Sequence, residues 1–150
     1  MKLNKRWKGL KRIDSGDYVL EGDLVSEENI EIDLDDRLIV RGSLISKKSI
    51  KAGRGIKAGW GIEAGCGIEA GWGIEAKTFI HSEKRIFAGI SLYRTNADCA
   101  KTITCAELRK GEICFGDLVI TKQEEPAETV MSIAEIEEKL GIKNLKIKRE

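Results

Sequence analysis

The chain has 150 residues, 41% of them hydrophobic, and a formal net charge of +1 at pH 7; that is room for one domain with a real core and too little for two. No run approaches the roughly 18 apolar residues of a membrane helix, and the start from Met1 to Trp7 lacks the apolar stretch of a signal peptide, so a cytoplasmic protein is expected. Cys66, Cys99, Cys105 and Cys114 form no Cys-x-x-Cys pair and read as reduced thiols in that compartment; a zinc site from three of them with His81 would have the wrong spacing for a ribbon or finger.

In chain order, residues 1–12 form a basic arm: Lys2, Lys5, Arg6, Lys8, Lys11 and Arg12 with no acid and with Trp7 interleaved. Such a segment suits a nucleic-acid contact through Lys5, Arg6 and Lys8, or is simply a solubilising tail. Residues 13–36 reverse the sign, with ten acids and no base, and residues 37–60 reverse it again with seven bases and no acid. Blocks of this size create local potentials that net charge hides. Glu27, Glu28, Asp35 and Asp36 could imitate a phosphate backbone on a rigid support; the plainer reading is a solvated surface. Within the acidic block, Tyr18 to Val25 alternates as strands do.

The central feature is a repeat. Residues 49–76 are built from the unit Gly-Ile-Lys/Glu-Ala-Gly-x, in which Ile50, Ile56, Ile62, Ile68 and Ile74 recur every six residues. Ile80 and Ile86 continue that register, and extrapolation reaches Leu44, Leu38 and Ile32 backwards and Leu92 forwards. A second column follows two positions on: Leu34, Val40, Ser46, Ala52, Ala58, Ala64, Ala70, Ala76, Ser82 and Ala88. Residues i and i+2 of a strand face the same side, so the aliphatic and the small residue point inward while Lys57, Glu63, Glu69 or Glu75 points out. Glycines on either side of Arg54, Trp60, Cys66 and Trp72 supply corners, and a period of six excludes a helix of period 3.6.

Stacked coils give such strands a common core, so the predicted fold is an all-β solenoid, a parallel β-helix covering residues 13–120. Three hexads per coil, about 18 residues, place Lys51 under Glu69, Lys57 under Glu75 and Arg54 under Trp72. Two hexads would oppose Glu63 to Glu75, so the three-sided coil is favoured. Further strands are expected over residues 101–105 and 114–120. Residues 121–131, with the sole proline Pro126, read as a linker. Residues 132–150 form a helix-strand cap: Ser132 and Glu135 have capping-box spacing, Ile133, Ile136 and Leu140 share a face, Gly141 ends a helix over 132–140, and residues 143–148 alternate. The helix either closes an end of the solenoid or serves a partner or a dimer.

The Gly-Ile-Lys/Glu-Ala-Gly units, followed by Arg85-Ile86-Phe87-Ala88-Gly89-Ile90 and the tail from Ser132 to Gly141, resemble small repeat proteins carried by phages and mobile elements of Gram-positive bacteria. Leu38 to Ile45 resembles the coils of bactofilin-like polymer-forming proteins. The phage resemblance implies an accessory protein of the bacterial cytoplasm that binds and blocks a host defence nuclease, as anti-CRISPR proteins do. The bactofilin resemblance implies self-assembly, from which the Gly-rich centre and the C-terminal helix depart. Hexapeptide acyltransferases also use six-residue units and a His base, and His81 lies in the register. Their left-handed coils carry a small residue two positions before each aliphatic, where this chain has Arg54, Trp60, Cys66, Trp72 and Lys84. That departure makes a right-handed coil the expectation and leaves His81 without a recognisable orienting carboxylate. The glycines lack the Gly-Lys-Ser/Thr ending of a phosphate loop.

The expectation is therefore a binding protein without catalytic residues, cofactor or metal. It would act on a host protein or nucleoprotein complex, less directly on nucleic acid and not on a membrane, with a homodimer or filament as the structural alternative. Beside the charged groups above, Trp60, Trp72 and Arg54 are candidate contacts, because large rigid rings gain contact area at little entropic cost.

Overall fold

Each Gly-Ile-x-Ala-Gly-x unit has just enough length for one short strand and a corner, and that is what it forms. The computed structural model describes residues 1–90 and 101–121, and among them all regular structure is β. The N-terminal strands are β1 (Lys2–Asn4), β2 (Leu10–Arg12), β3 (Tyr18–Leu20), β4 (Leu24–Ser26) and β5 (Ile30–Asp33). The repeat supplies β6 (Leu38–Val40), β7 (Leu44–Ser46), β8 (Ile50–Ala52), β9 (Ile56–Ala58), β10 (Ile62–Ala64), β11 (Ile68–Ala70) and β12 (Ile74–Ala76). Then come β13 (Phe79–Ala88), β14 (Thr102–Cys105), β15 (Glu107–Phe115) and β16 (Asp117–Ile120).

These strands stack in parallel on three faces, giving a β-solenoid of about five turns. One face runs β4, β7, β10 and the first half of β13; the next runs β5, β8, β11 and the second half of β13; the last runs β3, β6, β9, β12, β14 and β16. The corner inside β13 is Glu83-Lys84-Arg85 with no glycine, and the strand passes through it unbroken.

In the centre each turn takes three hexads, as expected: Ile68 lies over Ile50, Ile74 over Ile56, Ile80 over Ile62 and Ile86 over Ile68. These isoleucines are fully buried and the alanines two positions on are almost as deep. Burying one such side chain contributes about 1.5 to 3 kcal/mol, so the column is the main source of stability. On the face where the second column carries serines, Ser46 Oγ donates to Glu28 O at 2.9 Å and Ser82 Oγ to Cys66 O at 2.7 Å. Their buried hydroxyls are thereby satisfied by corner carbonyls.

The first turn corrects the extrapolated register. Leu44 lies over Leu24, Ile50 over Ile30 and Leu38 over Tyr18, each pair two positions further apart than three hexads. Ile30 therefore takes the aliphatic column, and Ile32 sits below Ala52 in the second column. The extra length falls at the corner between Ile32 and Leu38, where Leu34 turns inward and is buried. A wider coil needs more side-chain volume, and Leu20 and Ile32 supply it where the next coil carries the smaller Val40 and Ala52. At the other end Ile103 lies over Ile74, a turn longer still, with its added length between Ile90 and Lys101. Leu92 lies outside the described residues, as do most of the 121–131 linker and the whole 132–150 cap.

Residues 1–12 are likewise not a free arm. β1 pairs in parallel with β5, and β2 pairs antiparallel with β3, ending the parallel ladder on that face. Leu3 is fully buried, and Met1, Trp7 and Leu10 pack against the core. The apolar residues among the basic ones thus close the N-terminal mouth of the solenoid. A stacked column exposes its last layer, and this segment covers it. The strand expected over residues 114–120 is divided at Gly116 between the end of β15 and β16, and β15 starts earlier than expected because Gly111 and the charges of Glu107, Arg109, Lys110 and Glu112 mask its Leu108 and Ile113.

Candidate functional site

Because the core is filled by aliphatic and small residues, the groups of the described residues able to contact a partner lie, away from the C-terminal layer, on outward strand positions and corners. The outward ladders behave as their spacing requires: Lys51 Nζ is 3.0 Å from Glu69, and Lys57 Nζ is 2.7 Å from Glu75. Both pairs are partly exposed, which limits each to about 0 to 1 kcal/mol.

The corners separate the aromatic candidates. Arg54 stacks over the ring of Trp72, 5.0 Å from its centroid, one turn apart on one corner. Trp60 stands on a different corner, because it lies two hexads before Trp72 and a full turn takes three. No Trp60–Trp72 ridge exists. Trp72 is half-buried, whereas Trp60 is 63% exposed, far more than any other aromatic side chain among the described residues. Beside Trp60, the Phe79 ring lies in the space left by Gly61, and the Arg109 guanidinium covers it at 3.7 Å from the centroid. Trp60 therefore projects from a backbone held by bonds from Trp60 N to Gly42 O at 3.1 Å and from Thr78 N to Trp60 O at 3.1 Å.

The charged candidates are largely one another's partners. Lys5 Nζ is 2.7 Å from Asp35 Oδ2, and Tyr18 Oη donates to Asp35 Oδ1 at 2.7 Å. Lys5 and then Tyr18 hold the Asp35 carboxyl far below the usual carboxylate range, and the bond to Asp35 raises Lys5 in turn. Lys2 reaches Asp33 at 3.2 Å and Glu31 at 3.6 Å, and Lys48 pairs with Glu28, lowering that carboxyl. The Asp36 carboxylate accepts from the Arg37 amide at 3.2 Å. Arg6, Lys8 and Glu27 are exposed and make no side-chain ion pair among the described residues. The basic segment and part of the acidic block are thus neighbours at the N-terminal end. Glu27 and Glu28 lie at the corner after β4, and Asp35 and Asp36 at the enlarged corner after β5, so the acids form no single row.

His81 has the carboxylate that the sequence reading lacked: its Nε2 is 2.9 Å from Glu83 Oε1, and Lys110 Nζ is 2.5 Å from Glu83 Oε2. Lys110, then His81, lowers the Glu83 carboxyl. The signal was available, since residues 81 and 83 share an outward face in a strand. Among the described residues no three His, Cys, Asp or Glu side chains converge as a metal site. All three described cysteines are free: Cys105 is buried in the core, which pushes its thiol up, Cys66 is partly exposed and Cys114 is exposed. A groove of about 840 Å³ opens over Phe87 with Lys84 and Arg85 on its lip, and none of the sequence-derived site residues lines it.

Comparison with protein-family models, with curated proteins and with solved structures finds no match.

Proposed function

We propose that the chain is a non-catalytic binding solenoid whose Trp60 corner docks a protein partner in a bacterial cytoplasm. The observation that carries this reading is Trp60, 63% exposed on a corner fixed by backbone bonds from the turns below and above. Exposing a large ring on a preordered support costs solvation and repays nothing in the fold, while burial of such a ring at an interface gives a hot spot. The partner class is a nucleic-acid-targeting defence complex of the host, as the phage resemblance implies, reached by protein contact. The mutual pairing of Lys5 with Asp35 and of Lys48 with Glu28 argues against both an open phosphate-binding arm and a continuous phosphate mimic. A right-handed coil and a helix over residues 132–140 belong to the same reading.

The test is retention of a CRISPR-type effector from a Gram-positive lysate by the tagged chain and by Trp60→Ala. Retention by the first with a loss of about tenfold or more in the second is expected for a central aromatic anchor. Equal retention by both removes the Trp60 corner. Recovery of the bait alone, in multiples, replaces the proposal by self-assembly. That second reading is favoured by one observation, the apolar C-terminal layer at Leu118, Val119 and Ile120, and opposed by another, the closed N-terminal mouth, since a filament needs two open ends.

A further inference from the structure

The groove over Phe87 lies beside the corner that joins β7 to β8 and β10 to β11, a different corner from that of Trp60. A missing side chain creates it. The register stacks Ser49, Gly67 and Arg85 in one column, and a Cβ on Gly67 would meet only Arg85 O, at 3.1 Å. Between Ser49 and Arg85 there is therefore a notch floored by backbone. Its wall is the outward ladder of the adjoining face, in which Lys51 is 3.0 Å from Glu69 and the half-buried ring of Phe87 stands one turn above Glu69.

The charges on this corner are unmatched at its upper end. Lys48 is held by Glu28 one turn below it. Lys84, two turns above Lys48, stands over Cys66 instead, its amide donating to Cys66 O at 2.8 Å. Lys84 and Arg85 are exposed and neither makes a side-chain ion pair among the described residues. Glu112 is the register partner of Arg85 in β15 but is not within ion-pair distance of it. The Gly67 amide also makes no hydrogen bond among the described residues, whereas one turn below the Ser49 amide is taken by Asn29 Oδ1 at 3.1 Å.

We propose that this groove binds an acidic peptide segment of a partner protein, with a carboxylate on Lys84 and Arg85 and an apolar side chain against Phe87. Its volume of about 840 Å³ is within the range of about 300 to 1,000 Å³ in which ligands are held. Arg85 and Phe87 both point outward, two residues apart on β13. Side chains at i and i+2 of an extended peptide share that spacing on one side, so an acid two positions from an aromatic or aliphatic residue matches the pair. The lining opposes a nucleic-acid strand: Lys51, Lys84 and Arg85 share it with Glu69 and Glu112, whereas a phosphate backbone is bound by a run of bases. The groove does not rest on the Trp60 reading, and one chain can use both corners.

Panning a displayed library of random dodecapeptides against the full chain and against Lys84→Ala/Arg85→Ala tests this. The expected result is enrichment of peptides with Asp or Glu two positions from an aromatic or aliphatic residue. Their affinity falls about tenfold or more in the double variant, and equally when the peptide acid is replaced by its amide. Lys84→Glu/Arg85→Glu shifts the enrichment to basic peptides. In the unsubstituted chain the same acidic peptides slow iodoacetamide labelling of Cys66, which lines the groove, and leave Cys114 labelling unchanged. Absence of acidic peptides from the enriched set, equal binding of them by chain and double variant, or unslowed labelling of Cys66 overturns the proposal. Binding of an oligothymidylate that is lost in the double variant, with no acidic peptide enriched, assigns the groove to nucleic acid and overturns it too.

Discussion

Gly53, Gly59 and Gly65 stand at the same place in three consecutive repeat units, each directly after the Ala of a strand. The structure separates them. A Cβ on Gly59 would lie 2.9 Å from the carbonyl carbon of Arg41, with the oxygen nearer still, and one on Gly65 would lie 2.8 Å from that of Lys47. A Cβ on Gly53 would meet nothing within 4 Å. The cause is the coil beneath: Gly53 stands above the enlarged corner with its extra length, and the other two stand where adjacent coils approach most closely. Alanine at 59 must push apart two coils joined there by Gly59 N to Val40 O at 2.8 Å and Trp60 N to Gly42 O at 3.1 Å. Weakening two such bonds at about 1 kcal/mol each and overpacking at about 1 to 3 kcal/mol give a loss of about 3 to 5 kcal/mol. At about 2 to 4 °C per kcal/mol for a chain of this size, Tm falls by about 10 °C. Gly53→Ala changes stability by at most about 1 kcal/mol, and in the favourable direction, because it restricts the unfolded chain. Thermal unfolding followed by circular dichroism measures all three variants. Equal losses at 53 and 59, or no loss at 59 and 65, would refute the packing argument.

Other outcomes follow from the same geometry. Ile68→Ala, at the centre of the column, costs about 2 to 5 kcal/mol in urea unfolding, whereas Val25→Ala, more than half exposed on an outer face, stays within about 0.5 kcal/mol. Asp35, Glu28 and Glu83 have carboxyls held below their ordinary range, so the folded chain binds fewer protons than the unfolded one. The stability they contribute is complete above the ordinary carboxylate pKa and is lost as pH falls from about 5 downwards; Asp35→Asn flattens that acid limb in a pH series of Tm values. Lys5, raised by the same bond, acts in the opposite sense, and its contribution disappears as pH rises past the lysine range. Trp60→Ala leaves Tm within about 2 °C, since the ring is mostly exposed, while Trp72→Ala, which removes a half-buried ring under a guanidinium, lowers it measurably more.

The sequence alone determined the repeat architecture, because strict spacing of Ile50 to Ile86 with a small residue two positions on allows only a strand, and the charge pairs three hexads apart select three strands per turn. Lys51 with Glu69, Lys57 with Glu75 and Arg54 with Trp72 could be named without coordinates. Only tertiary structure decided what happens where the repeat is broken. The extra length before Leu38 shifts Ile32 by one column, and nothing local marks it, because Leu34 supplies an aliphatic side chain at the wrong depth. Residues 1–12 look like a solvated arm because their charges outnumber Leu3, Trp7 and Leu10, yet those three close the mouth. Trp60 and Trp72 have the same local sequence and separate only when the coil length puts them on different corners. The physical reason is common to all of these: strand periodicity is a property of neighbours along the chain, whereas exposure is set by the turn above and the turn below.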